Sequence, residues 1–405
     1  MFSLFTGLTP ELLLYKSGQL FALTGFVLIF IKYILSSRIR WVERGTGLDR
    51  LFRIHRTCGI VGFVLVFLHP VQLFIAGRIM DIPLQLDNFK LVGILGMLII
   101  IIAAGAAIFY TILRLSYETW RNLHRLAYAA LPFAFFHSFF IGSTVHTQPV
   151  RTFWLILGVL YIAVVVYRLH RWIMIRKNPY TITKVEQETH DTWSLHFKGK
   201  KIDYIPGQFM ILRLIRDGII SEPHPFTISS SPTGSELSIT AKSVGDFTST
   251  IKDTKLNDKA LIDAPFGAFS FLNYDAQRLL FIAGGIGITP FVSMLRYIKD
   301  MRLKKDIILI WGNKTENDII FKNELESLQG CFSSMKVVHV LSMQETWQGE
   351  KGYIDSGILV KHINNFEDGE FFICGPPAMT DNVIKVLRAR GVHRRRIHYE
   401  RFSLR

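Results

Sequence analysis

Long apolar runs separated by short polar loops fill the chain up to about Lys177, and charged residues return at ordinary density after it. A helix that crosses about 30 Å of hydrocarbon at about 1.5 Å per residue needs about 20 apolar residues. Five segments approach that length. We therefore predict membrane helices over residues 18–35, 55–77, 91–113, 124–145 and 152–172.

The pattern changes twice in the second half of the chain. Over residues 180–272, apolar and polar positions alternate with a period of two between short turns, which predicts many short strands and a small β-barrel. From Leu279 onwards, strand-like and helix-like stretches alternate, which predicts a parallel sheet with crossover helices. The predicted fold class is a multidomain membrane protein: an all-α transmembrane bundle (1–177), a β-barrel (178–272) and an α/β parallel-sheet domain (273–405).

The basic excess adds an orientation to this picture. The net charge is +15, and arginines cluster in residues 36–54, 114–125 and 168–177, whereas the opposite loops hold only Arg78, Lys90 and Arg151. Positive loops stay on the cytoplasmic side, so we expect a multi-pass protein of the plasma (cytoplasmic) membrane. Its N-terminus would lie outside and its C-terminal half in the cytoplasm. The charge therefore indicates the lipid bilayer, and not nucleic acid, as a partner.

The N-terminal sequence and the cysteines do not change the predicted membrane organisation. The first apolar run, Leu20–Leu35, lacks a basic leader, so we expect a membrane helix and no cleavable signal peptide. The three cysteines (Cys58, Cys331 and Cys374) form no CxxC pair. This pattern indicates neither a disulfide framework nor a thiolate metal site.

Four histidines lie in or at the ends of two apolar segments: His55 and His69 in one, His124 and His137 in the other. A single intramembrane histidine is typically a packing residue, but ionisable groups in a membrane are costly, and two matched pairs indicate a function. Neutral imidazole binds iron, and a haem between helices buries a large apolar macrocycle. We predict these four residues as the metal ligands of two b-type haems.

Helical geometry supports the first pair better than the second. His55 and His69 lie about 21 Å apart along a helix and within about 40° of one face. His124 and His137 lie about 140° apart on an ideal helix. Either Pro132 kinks that segment, or the helix leans so that each haem is met from a different side. His146 and His170 are assigned to a loop and to the membrane interface.

The spacing His-x13-His followed by His-x12-His resembles that of the NADPH oxidase and ferric reductase superfamily, in particular its prokaryotic NADPH oxidase-like members. The resemblance implies that the first histidines, His55 and His124, share an inner haem, and that His69 and His137 share an outer one. Members of this superfamily commonly have six membrane helices, whereas five are predicted here.

The second half resembles the ferredoxin–NADP reductase superfamily. Five motifs carry the resemblance and stand in the same order: "HPFTISS" (224–230), "VGDFT" (244–248), "APFG" (264–267), "GGIGITP" (284–290) and "CGPPAM" (374–379). The resemblance implies an FAD-binding β-barrel followed by an NAD(P)H-binding domain.

The same resemblance implies the cofactor-binding residues. Those for FAD are His224, Pro225, Phe226, Thr227, Ser230, Lys242, Gly245, Asp246, Phe247 and Thr248. Those for the dinucleotide are Gly284, Gly285, Gly287, Thr289, Pro290, Lys314, Asp318, Cys374, Gly375 and Pro376. Three residues are expected at the reacting rings: Thr227 near the reactive flavin nitrogen, Cys374 near the nicotinamide, and Phe402 stacked on the flavin. Asp318 favours NADH because it repels a 2′-phosphate, whereas Lys314 favours NADPH.

Together these parts predict a transmembrane oxidoreductase. NAD(P)H would reduce FAD in the cytoplasm, and single electrons would pass through the two haems to an acceptor outside. Oxygen, giving superoxide, is the first expectation, because no acidic or histidine-rich outer loop gathers ferric ions; a ferric chelate is the alternative. The rival hypotheses are a flavin reductase with a membrane anchor and no haem, and a histidine-based channel or proton relay. We expect no obligatory protein partner.

Overall fold

A computed structural model describes residues 9–37, 39, 48–83, 85–110, 112–332 and 334–400. The described chain forms two compact units, with the boundary at residues 171 and 172. The helices of the first unit, which we call the membrane unit, are α1 (Pro10–Ser36), α2 (Leu48–Ile79), α3 (Asn88–Ile108), α4 (Tyr117–Arg125), α5 (Ala127–Ile141) and α6 (Val150–Lys177), the last of which continues to the start of the second unit.

Among the described residues, four helices are long and apolar enough to cross a membrane: α1, the part of α2 from Arg53 onwards, α3 and α6. They correspond to four of the five predicted segments. The prediction of one helix over 124–145 is wrong, because the chain turns at Leu126 and forms two helices. The Leu126 N–H donates to the Leu123 carbonyl, a tighter bond than the helical one. The polar sequence of α4 and the apolar sequence of α5 are also typical of two separate helices.

Close helix packing in the membrane unit depends on small residues. A Cβ on Gly25 of α1 would lie 2.6 Å from Cγ2 of Val66 and 3.0 Å from the Gly62 carbonyl of α2. Interfaces of this kind are typical of membrane helices, where short side chains let backbones approach. The core continues around Trp154 of α6, which is 1% exposed and donates from Nε1 to the Ser138 hydroxyl of α5 at 2.7 Å.

The second unit begins with the predicted barrel. Its strands are β1 (Tyr180–Thr189), β2 (Thr192–Lys198), β3 (Phe209–Arg216), β4 (Ile219–Ile220), β5 (His224–Thr227), β6 (Leu237–Lys242) and β7 (Lys259–Phe266), with the short helix α7 (Asp246–Ser249) after β6. All the pairs are antiparallel, in the order β4-β3-β7-β1-β2-β6 with β5 beside β3. A bridge between Ile228 and Ile239 joins the end of β5 to β6 and closes the barrel.

A parallel α/β domain follows, as predicted. Its strands are β8 (Arg278–Gly284), β9 (Asp306–Asn313), β10 (Met335–Leu341), β11 (Glu350–Lys351), β12 (Glu370–Cys374) and β13 (Ile397–Glu400). Its helices are α8 (Thr289–Asp300), α9 (Lys322–Cys331), α10 (Ser356–His362) and α11 (Pro377–Ala389). The strand order is β11-β10-β9-β8-β12-β13. Successive residues of β8, such as Leu280 and Phe281, are buried in separate clusters, as expected for a sheet covered on both faces.

Arg296 of α8 joins the α/β domain to the barrel. Its Nε and Nη2 donate to the two carboxylate oxygens of Glu324, each at 2.7 Å. Its Nη1 donates to the Ser229 carbonyl of the barrel at 2.8 Å. A planar guanidinium suits such a forked arrangement.

We expect Arg296→Ala to destabilise the second unit by about 1–3 kcal/mol, because it removes three hydrogen bonds and leaves the Glu324 carboxylate without its partner. Thermal unfolding of the full-length protein in detergent, followed by tryptophan fluorescence, measures the effect. Lys322→Ala is the control: its pair with Glu316 is exposed by 41% on each side, and such pairs contribute about 0–1 kcal/mol. Equal midpoints for the two variants would contradict this role of Arg296.

Candidate functional site

Two pairs of histidines face each other inside the membrane unit. His55 and His69 lie on α2, His124 lies near the end of α4, and His137 lies on α5. The ring centroids of His55 and His124 are 6.2 Å apart, and those of His69 and His137 are 6.4 Å apart. The structure therefore brings together the same pairs that the resemblance implies.

Backbone carbonyls of the neighbouring helix α3 orient the histidines of α4 and α5. Nδ1 of His137 lies 2.9 Å from the Phe89 carbonyl, and Nδ1 of His124 lies 3.4 Å from the Ala103 carbonyl. A ring that donates from Nδ1 presents Nε2 as its free lone pair, which is the nitrogen available to a metal.

Helix α1 does the same for the histidines of α2. Nδ1 of His69 lies 3.0 Å from the Gly18 carbonyl, and the Lys32 carbonyl is the backbone partner of His55. The two carbonyls on α1 are 14 residues apart, as are Phe89 and Ala103 on α3 and the two histidines of α2. The carbonyl acceptors on α1 and on α3 therefore have the same 14-residue spacing as the two histidines of α2.

The separation of the rings fits one metal ion for each pair. With a metal–nitrogen bond of about 2.0–2.1 Å on each side, the two nitrogens lie about 4 Å apart and the ring centroids about 6 Å apart. The observed distances are 6.2 and 6.4 Å. Imidazoles in an apolar bundle are ligands that haem iron accepts, so these residues fit two bis-histidine haems.

The division between α4 and α5 removes the difficulty raised by the spacing of 13 residues. Because the chain turns at Leu126, His124 and His137 lie on different helices, and the ideal angle of one helix does not apply. Pro132, which the sequence suggested as a kink, lies inside α5. The turn lies six residues earlier than that proline.

Gly93 of α3 is a site residue that the sequence did not reveal. A Cβ at this position would lie 2.3 Å from Nδ1 of His137. Gly93 lies one helical turn after Phe89 on α3. Because Gly93 has no side chain, the His137 ring has room to reach the Phe89 carbonyl. The sequence could not reveal the role of Gly93, because it does not show that the Phe89 carbonyl is the acceptor for a histidine.

In the barrel, Thr227 has the properties expected of a cofactor contact. It ends β5, is 4% exposed, and its hydroxyl oxygen is buried with no hydrogen-bond partner among the described residues. Buried hydroxyls almost always have a partner. This orphan hydroxyl fits the predicted contact with the flavin.

Several of the other predicted FAD residues pack around Phe247. His224 stacks on Phe247 with the ring centroids 3.8 Å apart, and Phe226 lies 6.1 Å from Phe247. Pro225, between them on β5, is exposed. In the segment Gly245–Thr248, which begins α7 at Asp246, the Thr248 hydroxyl accepts the Gly245 N–H at 2.9 Å. The structure thus brings the two FAD motifs together.

Ser230 has a role in joining the domains that the sequence did not predict. Its hydroxyl accepts the Ser238 N–H at 3.0 Å, and its carbonyl accepts the Ser293 hydroxyl of α8 at 2.7 Å. Its contact with FAD stays a prediction.

Lys242 and Asp318, both predicted to bind cofactors, bind each other. The Lys242 ammonium lies 3.2 Å from Asp318 and 3.1 Å from Asp191. Burial opposes ionisation of Asp318, but hydrogen bonds from Thr315 and the pairing with Lys242 hold the pKa of this carboxyl below its ordinary value. Asp318 is therefore an ionised member of a link between barrel and α/β domain, and its contact with a ribose stays a prediction.

The predicted dinucleotide residues meet at one edge of the parallel sheet. β8 and β12 are neighbours at the point where the strand order reverses, and ligands of such sheets bind outside the carboxyl ends of the strands there. Gly284 ends β8 and Cys374 ends β12, while Thr289 and Pro290 begin α8. Gly375 and Pro376 follow β12 directly.

The glycines at this edge have different roles. A Cβ on Gly287 would lie 2.2 Å from the Cys374 carbonyl, and one on Gly284 would lie 2.7 Å from Cδ of Pro376. These two glycines let the two loops pack against each other. Gly285 has a φ of +52° and open space around its Cβ position, so a residue with a side chain would be strained there. Its contact with a pyrophosphate stays a prediction.

Asn313 is a second site residue that the sequence did not reveal. It ends β9, is 8% exposed, and its side-chain nitrogen is buried without a partner among the described residues. The sequence did contain a signal for Asn313, because it is a polar residue at the carboxyl end of an otherwise apolar strand. Lys314, the next residue, is exposed beside it.

Of the other two residues predicted at the reacting rings, Cys374 and Phe402, the structure describes only Cys374. Cys374 is fully buried, and burial, together with the nearby Glu400, raises the pKa of its thiol well above its ordinary value. The thiol is therefore neutral. Glu400, opposite Cys374 in the β12–β13 pair, was not predicted from the sequence. Phe402 lies outside the described residues.

Three family models match the chain in succession. Residues 21–135 match the ferric reductase like transmembrane component, 177–281 the FAD-binding domain, and 281–385 the oxidoreductase NAD-binding domain. This order confirms the architecture predicted from the sequence.

The curated relatives cover the second unit. The glycine betaine monooxygenase reductase subunit of Pseudomonas aeruginosa is 32% identical over 233 residues, which are 54% of this chain and 63% of that protein. The toluate 1,2-dioxygenase electron transfer component of Pseudomonas putida is 26% identical over 228 residues, 55% of this chain and 66% of that protein. The chain thus spans about two thirds of the length of these relatives.

Solved structures show the fold of the same region. The FAD/NAD-binding domain of nitric oxide dioxygenase from Vibrio cholerae aligns with a TM-score of 0.51 at 22% identity, covering 55% of this chain and 98% of that one. A ferredoxin NADP+ reductase from Neisseria gonorrhoeae with bound FAD and NADP aligns with a TM-score of 0.50 at 21% identity, covering 56% and 98%.

We expect Thr227→Val to weaken FAD binding roughly two- to tenfold, the effect of one lost hydrogen bond. The same change should leave the flavin-free protein as stable as the wild type or more stable, because it removes a buried polar group without a partner. FAD titration and thermal unfolding measure the two effects. Thr227→Ser, which keeps the hydroxyl, should bind FAD like the wild type. Unchanged affinity in the valine variant would place the hydroxyl away from the flavin.

Proposed function

We propose that this chain, a ferric reductase/NADPH oxidase-like fusion of a membrane domain with FAD-binding and NAD-binding domains, passes electrons from NAD(P)H across a membrane. The route runs through FAD and two b-type haems. The observation that carries the proposal is the two pairs of facing imidazoles along α2, with centroids 6.2 and 6.4 Å apart. A rise of about 1.5 Å per residue places the two pairs about 21 Å apart along that helix.

The residues of the second unit support the entry of electrons. FAD, when bound, accepts hydride from the dinucleotide and releases electrons singly. The orphan Thr227 hydroxyl lies on the barrel to orient the flavin, and Gly285 leaves room for the dinucleotide at the sheet edge. The Cys374 thiol at this sheet edge is neutral and fully buried, so it contributes no charge to the dinucleotide site.

The membrane unit supports passage rather than binding of a substrate. Each facing pair would supply both of its imidazoles to one haem iron, and the haem would carry single electrons. With both imidazoles of a pair used in this way, we expect the acceptor to take its electron without binding the metal. The basic loops favour an orientation with the N-terminus outside and the second unit in the cytoplasm, and we propose the lipid bilayer as the partner of the exposed apolar helix faces.

Oxygen is the acceptor that we propose. One NAD(P)H then reduces two O2 to two superoxide ions and releases NAD(P)+ and one proton. A ferric chelate, reduced to ferrous iron by the same route, is the second candidate, favoured by the match of residues 21–135 to a ferric reductase like component.

NAD(P)H-driven turnover of the purified full-length protein in detergent tests the route and the acceptor. We expect b-type Soret and α bands that are reduced by NAD(P)H, and cytochrome c reduction that superoxide dismutase abolishes. Iron reduction detected with ferrozine at a higher rate under nitrogen would select the ferric chelate. Absence of haem bands would overturn the proposal. The membrane unit would then be an anchor or a proton relay.

We expect Gly93→Ala to lose one of two haem equivalents, because its Cβ would lie 2.3 Å from Nδ1 of His137 and displace that ring. The pyridine haemochrome assay counts haem per protein. Gly105→Ala on the same helix is the matched control, since its Cβ position has no neighbour within 4 Å, and it should keep both haems. Two haems in each variant would remove His137 from the ligand set.

A further inference from the structure

The barrel begins directly after the end of a membrane helix. Helix α6, which is long and apolar enough to cross a membrane, ends at Lys177, and β1 begins at Tyr180. The last turns of α6, from Trp172 onwards, belong to the same compact unit as the barrel. Four extended residues reach at most about 14 Å, so Thr181 of β1 lies within that distance of the helix end.

The length of α6 brings this end of the barrel to the surface of a bilayer. Its 28 residues extend over about 42 Å at about 1.5 Å per residue, and a bilayer with its headgroups is about 40–45 Å thick. Arg176 lies over the Trp172 ring, 4.2 Å from its centroid, and tryptophans of this kind anchor helices at the headgroup level. We therefore expect the start of β1 close to the headgroups when α6 spans a membrane.

The strand register builds a row of residues across the barrel at this end, which we call the outer row. Thr181 of β1 is paired with Lys198 of β2 on one side and with Lys259 of β7 on the other. Lys259 is paired in turn with Ile215 of β3, and Ile215 with Ile220 of β4. The chain neighbours of these residues that lie in the barrel core are Tyr180, Ile182, Phe197, Leu214 and Ala260. Because side chains alternate along a strand, the outer row faces away from the core.

Lysines dominate the charge of the outer row and of the loops beside it. Lys198 and Lys259 are exposed, and Lys259 donates to the Thr181 hydroxyl at 2.8 Å. The other exposed lysines after β2 and before β7 are Lys200, Lys201, Lys252 and Lys255. The aspartates beside them are Asp203, Asp217, Asp253 and Asp258. Because Asp253 and Asp258 are electrostatic neighbours of Arg216, the positive charges remain in excess.

Two apolar side chains protrude at the same end of the barrel. Ile219, the first residue of β4, is 75% exposed, and Leu256, in the loop before β7, is 61% exposed. The two segments are neighbours, because Arg216, which is paired with Ile219, donates to the Thr254 hydroxyl at 2.7 Å. Binding to a membrane interface grows with the apolar area that is buried and with the attraction of basic residues to anionic lipids.

We propose that this end of the barrel docks on the bilayer from which α6 emerges. The lysines of the outer row and its loops contact anionic phospholipid headgroups, and Ile219 and Leu256 insert between those headgroups. Basic segments beside a membrane helix are attracted to anionic lipids, and the attraction falls off within a Debye length of about 8–10 Å. The inference uses only the crossing of the membrane by α6, and neither the haems nor the electron acceptor enter it.

Hydrogen–deuterium exchange of the full-length protein in lipid nanodiscs tests the docking. The comparison is between discs of phosphatidylcholine alone and discs that also contain phosphatidylglycerol. Amides of residues 216–220 and 252–258 should exchange severalfold more slowly in the anionic discs at low salt. High salt should remove this protection, because it screens charges at the surface.

Paired variants separate the outer row from a general effect of charge. Lys198→Gln combined with Lys259→Gln should lose the protection, and the two changes to Arg, which keep the charge, should retain it. Lys304→Gln combined with Lys336→Gln alters two exposed lysines of the α/β domain. This control changes the net charge by the same amount and should retain the protection.

The other outcomes would overturn the proposal. Equal protection in the two kinds of disc would mean that the lysines do not recognise anionic headgroups, and absence of protection in both would mean that this end of the barrel does not touch the bilayer. Protection that persists in the paired glutamine variant would remove the outer row from the contact. Haem bands recorded on the same discs report on the proposed function separately, since protection without haem bands would refute the electron route and leave the docking supported.

Discussion

Hydrogen bonds from imidazole Nδ1 atoms to backbone carbonyls determine what the membrane unit is able to bind. Three of these contacts measure 2.9–3.4 Å, to Phe89, Ala103 and Gly18, and the fourth is to Lys32. Each contact from Nδ1 fixes the tautomer of one ring and leaves its Nε2 lone pair free for a metal. Because the acceptors are carbonyls of rigid helices, the ring positions follow from helix packing. Glycines at the helix contacts are therefore as necessary as the histidines.

The second unit uses a related principle at the edge of its parallel sheet. Gly284 and Gly287 bring two loops into contact, and Gly285 leaves open space. Polar atoms without partners, on Thr227 of the barrel and Asn313 of the sheet, remain at the positions expected for cofactor contacts. The surrounding groups are by contrast paired, as Lys242 is with Asp191 and Asp318. Orphan atoms at these two positions are available to hydrogen-bond a ligand.

The sequence predicted features that are local or periodic. The order of bundle, barrel and parallel sheet followed from changes in hydrophobic period, and the four histidines followed from their cost in an apolar segment. The turn at Leu126 was missed because Pro132 is the stronger local signal for a break. The carbonyl partners of the histidine rings were missed because every residue has a backbone carbonyl, and the sequence does not show which one accepts a hydrogen bond. The pairing of Lys242 with Asp318 joins residues 76 apart, and such a contact has no signature in a local motif.

The repeated interval of 14 residues has a consequence for how this chain is able to vary. One residue inserted in α2 between its histidines, or in α1 or α3 between the paired carbonyls, would rotate everything beyond it by about 100° and advance it by about 1.5 Å. An insertion or deletion in any of these three intervals would therefore separate a ring from its carbonyl partner. The link between α4 and α5 is a turn and not a rod, so a change of length there is absorbed locally.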